Sequence, residues 1–139
     1  MQIKKIIMKT KILGLFIVLT LSYFYVNAGT FKEYMQFKGT VGNENVVGAI
    51  SMTDSKTYGT FSYIQGNFSS ASSLYDLRCT SSKSLGQRKY KLNLNVELNG
   101  KNYGTWTVTY NAVTKRITGT MKNENGKTLK IDLYEWKKR

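Results

Sequence analysis

The chain has 139 residues, which is room for one domain rather than two. It carries 21 Lys and Arg against 8 Asp and Glu, a formal charge of +13, with one Cys and no His or Pro. A histidine-based triad, a His-ligated zinc and a His-held haem all need an absent side chain, and one thiol cannot build a disulfide framework. The 10 Tyr, 6 Phe and 2 Trp are too many for a disordered basic tail.

In chain order, the first element is a leader. Lys4, Lys5, Lys9 and Lys11 form a positive n-region, and an apolar run from Ile12 to Val26 follows, broken only by Gly14, Thr20 and Ser22. Val26-Asn27-Ala28 is a small-residue cleavage pattern, so residues 1–28 read as a helical signal peptide and Gly29 as the mature start. Met8 opens an equally complete n-region and is an alternative translation start. The competing reading is an uncleaved membrane anchor, for which a run of about 15 residues falls short of the ~20 that span a bilayer. The one cysteine, Cys79, lies far from the leader, which closes the lipoprotein route. The chain after Ala28 carries +9, from 17 basic and 8 acidic residues. A domain of this size can bury a core without staples, and Cys79 reads as a small core residue.

The body, 29–136, reads as strands. Tyr34 to Val41 places Met35, Phe37 and Val41 on one side, and Gly42-Asn43-Glu44-Asn45 turns the chain. Val46 to Met52 is apolar enough for a buried strand, ended by Thr53-Asp54-Ser55-Lys56. Thr57 to Ile64 puts Phe61 and Tyr63 on one face. A looser loop, Gln65 to Ser72, leads to Ser73–Ser81, where Tyr75, Leu77 and Cys79 alternate. The clearest strand is Tyr90 to Leu98, with Tyr90, Leu92, Leu94, Val96 and Leu98 alternating against Lys91, Asn93, Asn95 and Glu97. Asn99-Gly100 is a type I′ hairpin signal, and Tyr103 to Tyr110 returns with Trp106, Val108 and Tyr110 on one face. Arg116 to Lys122 offers Ile117 and Met121; Asn125-Gly126 makes a second tight turn before Leu129, Ile131 and Leu133. Lys137-Lys138-Arg139 is a basic C-terminal tail.

These elements predict an all-β fold: about eight antiparallel strands in a meander that closes into a small barrel, with a two-sheet sandwich as the alternative. A flat sheet would leave an apolar face and two edges bare. Gly-Thr followed by an apolar residue recurs at Gly39-Thr40-Val41, Gly59-Thr60-Phe61, Gly104-Thr105-Trp106 and Gly119-Thr120-Met121. Its unequal spacing excludes a solenoid, and in three of the four the Gly is expected to mark a bend or bulge.

With its leader, about 110 further residues, eight short strands and Gly-x-aromatic strand entries, the chain resembles the calycin-type barrels: lipocalins, fatty-acid-binding proteins and avidins. Phe37-Lys38-Gly39 and Gly126-Lys127 also resemble the patterning of small exported β proteins of Gram-negative bacteria. The likeness covers 34–136 at the level of architecture and implies a shape and a habit of binding. It departs at Gly104-Thr105-Trp106, because the lipocalin G-x-W marker belongs on the first strand and this one falls on about the sixth. No ligand residue carries over.

Chemistry has little to work with. Glu33, Glu44, Asp54, Asp76, Glu97, Glu124, Asp132 and Glu135 are the only carboxylates, read as solvated surface acids, with no spacing that pairs two of them across a cleft. Serines crowd Ser69–Ser73 and Ser81–Ser84 as flexible loops, without a nucleophile elbow or a usual general base. Asn67-Phe68-Ser69 is formally a glycosylation sequon. No calcium loop is present, so neither metal nor cofactor is expected, and the chain reads as a non-enzyme. Two binding modes remain. Trp106, Tyr110, Phe61, Tyr63 and Tyr90 would line an internal site for a small apolar or amphipathic ligand, or simply fill the barrel. Lys83, Arg88, Lys89 and Lys91 cluster at one strand entrance as a basic surface for an acidic protein or an anionic envelope component. Export, to a secreted or periplasmic location, argues against nucleic acid, and the membrane enters only through an uncleaved leader.

Overall fold

The computed structural model describes residues 31–53, 56–65 and 70–137. The leader with its cleavage site, Asp54, the Asn67-Phe68-Ser69 sequon and the last two residues lie outside the described residues.

Eight strands follow one another: β1 (Phe31–Val41), β2 (Glu44–Thr53), β3 (Thr57–Gln65), β4 (Ser70–Gly86), β5 (Lys89–Leu98), β6 (Lys101–Asn111), β7 (Arg116–Asn123) and β8 (Thr128–Glu135). Each pairs antiparallel with the next, and β1 closes on β8 from Phe37↔Glu135 to Val41↔Ile131. The sheet is therefore a closed up-and-down barrel. The β1–β8 ladder leaves no second sheet, so the sandwich alternative falls.

Period-two patterning decides which side chains enter the lumen. Across the β5–β6 hairpin, Tyr90 faces Tyr110, Leu92 faces Val108 and Leu94 faces Trp106, and all six are buried. The Asn99-Gly100 turn has φ of 52° and 79°, the pair of positive values a type I′ turn demands. A register slip opposite Val96 and Glu97 leaves Tyr103 of β6 as the extra residue, and Leu98, at the end of β5, is half-buried. Met35, Phe37, Val41, Phe61, Leu77, Ile117, Met121, Ile131 and Leu133 complete the core. On β2 both faces are buried: Val46, Ile50 and Met52 inside, Val47, Ala49 and Ser51 outside. Tyr34, Leu74 and Trp136 pack onto the outer set.

One sequence expectation needs correction, and three others gain detail. The serines of Ser70–Ser73 and Ser81–Ser84 are strand, not loop, because the 17-residue β4 pairs with β3 from Ser70 and with β5 as far as Gly86. The β4–β5 turn is Gln87-Arg88, both with positive φ (54° and 58°), although neither residue type advertises it. The β7–β8 connection spans four residues and contains the expected tight turn, in which the Gly126 amide donates to the Asn123 carbonyl; the Asn123 side chain accepts from the Asn125 and Lys127 amides and caps it. Finally, three of the four recurrent glycines have the backbone expected of a bend or bulge. Gly39, Gly104 and Gly119 have φ of 151°, 153° and 154°, whereas Gly59 has no positive φ. Gly39 and Gly119 lie in unbroken register, and only Gly104 adjoins a bulge.

Candidate functional site

The five aromatics expected to line a pocket all point into the lumen, where they form two groups. Trp106 rests on Phe61 with ring centroids 4.9 Å apart and on Phe37 at 6.3 Å. Phe61 also stacks on Tyr75 and meets Tyr63 edge-on, both at 5.3 Å. Tyr90 and Tyr110 pack together at 6.2 Å nearer the other end. Phe61, Trp106 and Tyr110 have no exposed surface and Tyr90 has 5%, so at these positions the side chains occupy the interior themselves. Trp106 Nε1 and Tyr110 Oη are buried with no hydrogen-bond partner, a polar cost the ring contacts offset. Burial pushes the Tyr63 phenol up to about 12, with help from the Glu44 carboxylate and the neighbouring Tyr75.

The end of the barrel formed by the start of β1 and the β2–β3, β4–β5 and β6–β7 connections, here the lower end, is closed by an ion pair. Glu33 is 7% exposed and points inward, against the expectation of solvated acids. Arg88 donates to it through both arms of its guanidinium, Nε to Oε2 at 2.8 Å and a terminal nitrogen to Oε1 at 2.7 Å, and the Tyr90 hydroxyl donates at 3.4 Å. The left-handed backbone of Gln87-Arg88 folds this side chain under the lumen, and the Ala112 amide bonds the Arg88 carbonyl, tying the turn to the β6–β7 loop. One sequence signal was available: Glu33 shares the parity of Met35 and Phe37.

The Arg88 hydrogen bonds hold the Glu33 carboxyl below its usual range, against burial, which raises it; the Arg88 and Lys115 charges and the Tyr90 hydroxyl also lower it. A depressed native pKa adds stability that is present above the ordinary carboxylate value of ~4.3 and is lost as pH falls through the native one. Glu33→Gln is therefore expected to lower the urea midpoint at pH 6, with the gap to the parent narrowing as the pH falls below ~4. A gap that stays equal as the pH falls would refute the pairing as a source of acid sensitivity.

All four residues expected to form one basic surface are exposed at the β4–β5 hairpin, but the Arg88 charge is paired with Glu33, while Lys83, Lys89 and Lys91 lie on the outer face. Lys83 stands directly opposite Lys91, a cross-strand like-charge pair that is unfavourable by itself. None of the three has a carboxylate within ion-pair distance among the described residues. By contrast, Arg78 is held by Glu97 and Arg116 by Asp132, whereas Lys83 and Lys91 face each other across the hairpin.

The hairpin also overhangs its neighbour. β3 starts at Thr57 and its ladder with β4 ends at Tyr58↔Arg78, yet β4 continues to Gly86 with β5 alone. A groove of about 500 Å³ opens there. Its floor is Met52, Cys79 and Tyr90; its sides are Thr53, Lys56, Thr57 and Tyr58 on one hand and Arg78 with Thr80–Ser82 and Ser84 on the other. Tyr58 is fixed by a hydrogen bond to Asp76. Cys79 is half-buried against the core, its Sγ donates to the Ser81 carbonyl at 3.2 Å, and burial pushes the thiol up, which suppresses the reactive thiolate.

Fold and site together define a closed eight-stranded antiparallel barrel with a packed aromatic lumen and a basic, grooved lower rim. No protein-family model matches the chain, and no curated protein or solved structure shows significant similarity to it.

Proposed function

We propose that this is a non-enzymatic β-barrel binding protein, exported by its leader to the periplasm or the outside and cleaved near Ala28-Gly29. Its working surface in this reading is the lower rim, which docks an acidic partner as an inhibitor or immunity-type protein would. The observation that carries the reading is the Lys83/Lys91 pair with Lys89 beside it, repelling charges with no counter-ion on the hairpin that overhangs the groove. An internal ligand, the other mode the aromatics allow, draws less support, because Trp106, Phe61 and Tyr110 have no exposed surface with which to meet one.

Poly-L-glutamate serves as a partner-neutral probe, with binding measured by calorimetry at rising salt. Affinity is expected to fall steeply as the screening length shrinks from ~10 Å at 0.1 M towards ~3 Å at 1 M. The Lys83→Glu/Lys91→Glu variant is expected to lose binding at every salt concentration. Binding that ignores salt, or survives the double charge reversal, would count against the rim.

A further inference from the structure

Among the described residues, the overhang leaves a strand edge without a partner. From Thr80 to Gly86 one edge of β4 bonds β5, and no described strand pairs with the other. An unpaired edge presents a row of amide and carbonyl groups that an extended segment can complete. Within it, Ser81, Ser82, Lys83 and Ser84 keep regular register with Asn93, Leu92, Lys91 and Tyr90, between bulges at Cys79/Ser81 and Ser84/Gly86. The bulges limit the usable edge to these four residues, about 13 Å at ~3.3 Å each. Alternation then sorts the side chains. Ser82 and Ser84 share the inner face with Leu92 and Tyr90 and border the groove, whereas Lys83 shares the outer face with Lys91.

We propose that an extended acidic segment of the partner adds to β4 along Ser81–Ser84, in line with β3, as a short extra strand. This rests on the rim reading above and gives it a geometry. Charge selects the occupant. A second copy pairing edge to edge would bring Lys83 and Lys91 against their own equivalents, which like-charge repulsion opposes. A segment with a carboxylate on its outer face meets those lysines favourably. Its inward side chains lie over Met52, Cys79 and Tyr90, a floor that takes small apolar groups. The recognised pattern is therefore acidic and apolar residues in alternation over four to six positions.

The probe is a capped hexapeptide of alternating Val and Glu, added to the barrel while amide exchange is followed by NMR. A control peptide of the same sequence is N-methylated at alternate residues, which removes the amides of one edge and keeps every charge. Strand addition predicts slowed exchange for those amides of Ser81–Ser84 that do not bond β5. It predicts weakening of about tenfold by Lys83→Glu, the loss of one close charge pair. It also predicts no binding of the control. Equal, salt-sensitive binding of both peptides without edge protection would overturn strand addition and leave the basic rim standing. Failure of the hexapeptide and of poly-L-glutamate alike would overturn both.

Discussion

Replacing Trp106 by Ala is expected to cost about 3–5 kcal/mol, the range for deleting a large aromatic from a packed core. Trp106 is fully buried, lies against Phe37 and Phe61, and stands opposite Leu94 and Met121 on its two neighbouring strands. The ladder-bonded strands around the lumen limit how far the barrel can collapse into the space. Small domains are stable by ~5–15 kcal/mol, so this one change removes about a fifth or more of the total and can unfold the chain. Urea titration followed by far-ultraviolet circular dichroism measures it. A loss below about 1 kcal/mol would mean that the lumen is loosely filled, and would bring the internal-ligand reading back.

Gly119→Ala is expected to be as damaging for a different reason. Gly119 lies mid-β7 in register with Val108 and Ile131 at φ 154°, a conformation close to exclusive to glycine. A Cβ there would lie 2.1 Å from the Thr107 carbonyl oxygen and 2.8 Å from Val108 Cα. Both are backbone atoms of β6, so relief requires prising two strands apart. The φ alone costs about 1–3 kcal/mol and the collision adds to it. Gly126→Ala is the matched control: its φ is 79°, but nothing lies within 4 Å of the added carbon. That variant is expected to lose only about 1–2 kcal/mol. Parallel thermal melts compare them, and equal losses would refute the steric account of the bend.

Those two residues also show what patterning can and cannot convey. The parity of Trp106 with Val108 and Tyr110 was legible, since a period of two needs only the neighbours in the chain. The Gly-Thr repeat announced curvature, and the bends at Gly39, Gly104 and Gly119 supply it. At Ser81–Ser84 the sequence misled: a run of small polar residues looks like loop when there is no apolar face to count. It is strand because β5 is long enough to template it. Arg88 was legible only in part: it stays exposed beside the lysines, but a carboxylate 55 residues earlier in the chain takes its charge.

Length, composition and alternation by themselves determined an all-β chain of eight strands, the inward aromatics, and the chemistry that a protein without histidine cannot perform. Alternation is a local property, written within each strand, so it survives reading one residue after another. Only the tertiary structure decided that β1 meets β8, that Phe61, Trp106 and Tyr110 occupy the lumen, that Glu33 holds Arg88, and that β4 overruns β3 to leave an edge beside unpaired lysines. Each of these depends on which strand ends reach the same height around the barrel. That is set by the stagger of eight ladders at once, and no single segment of the sequence records it.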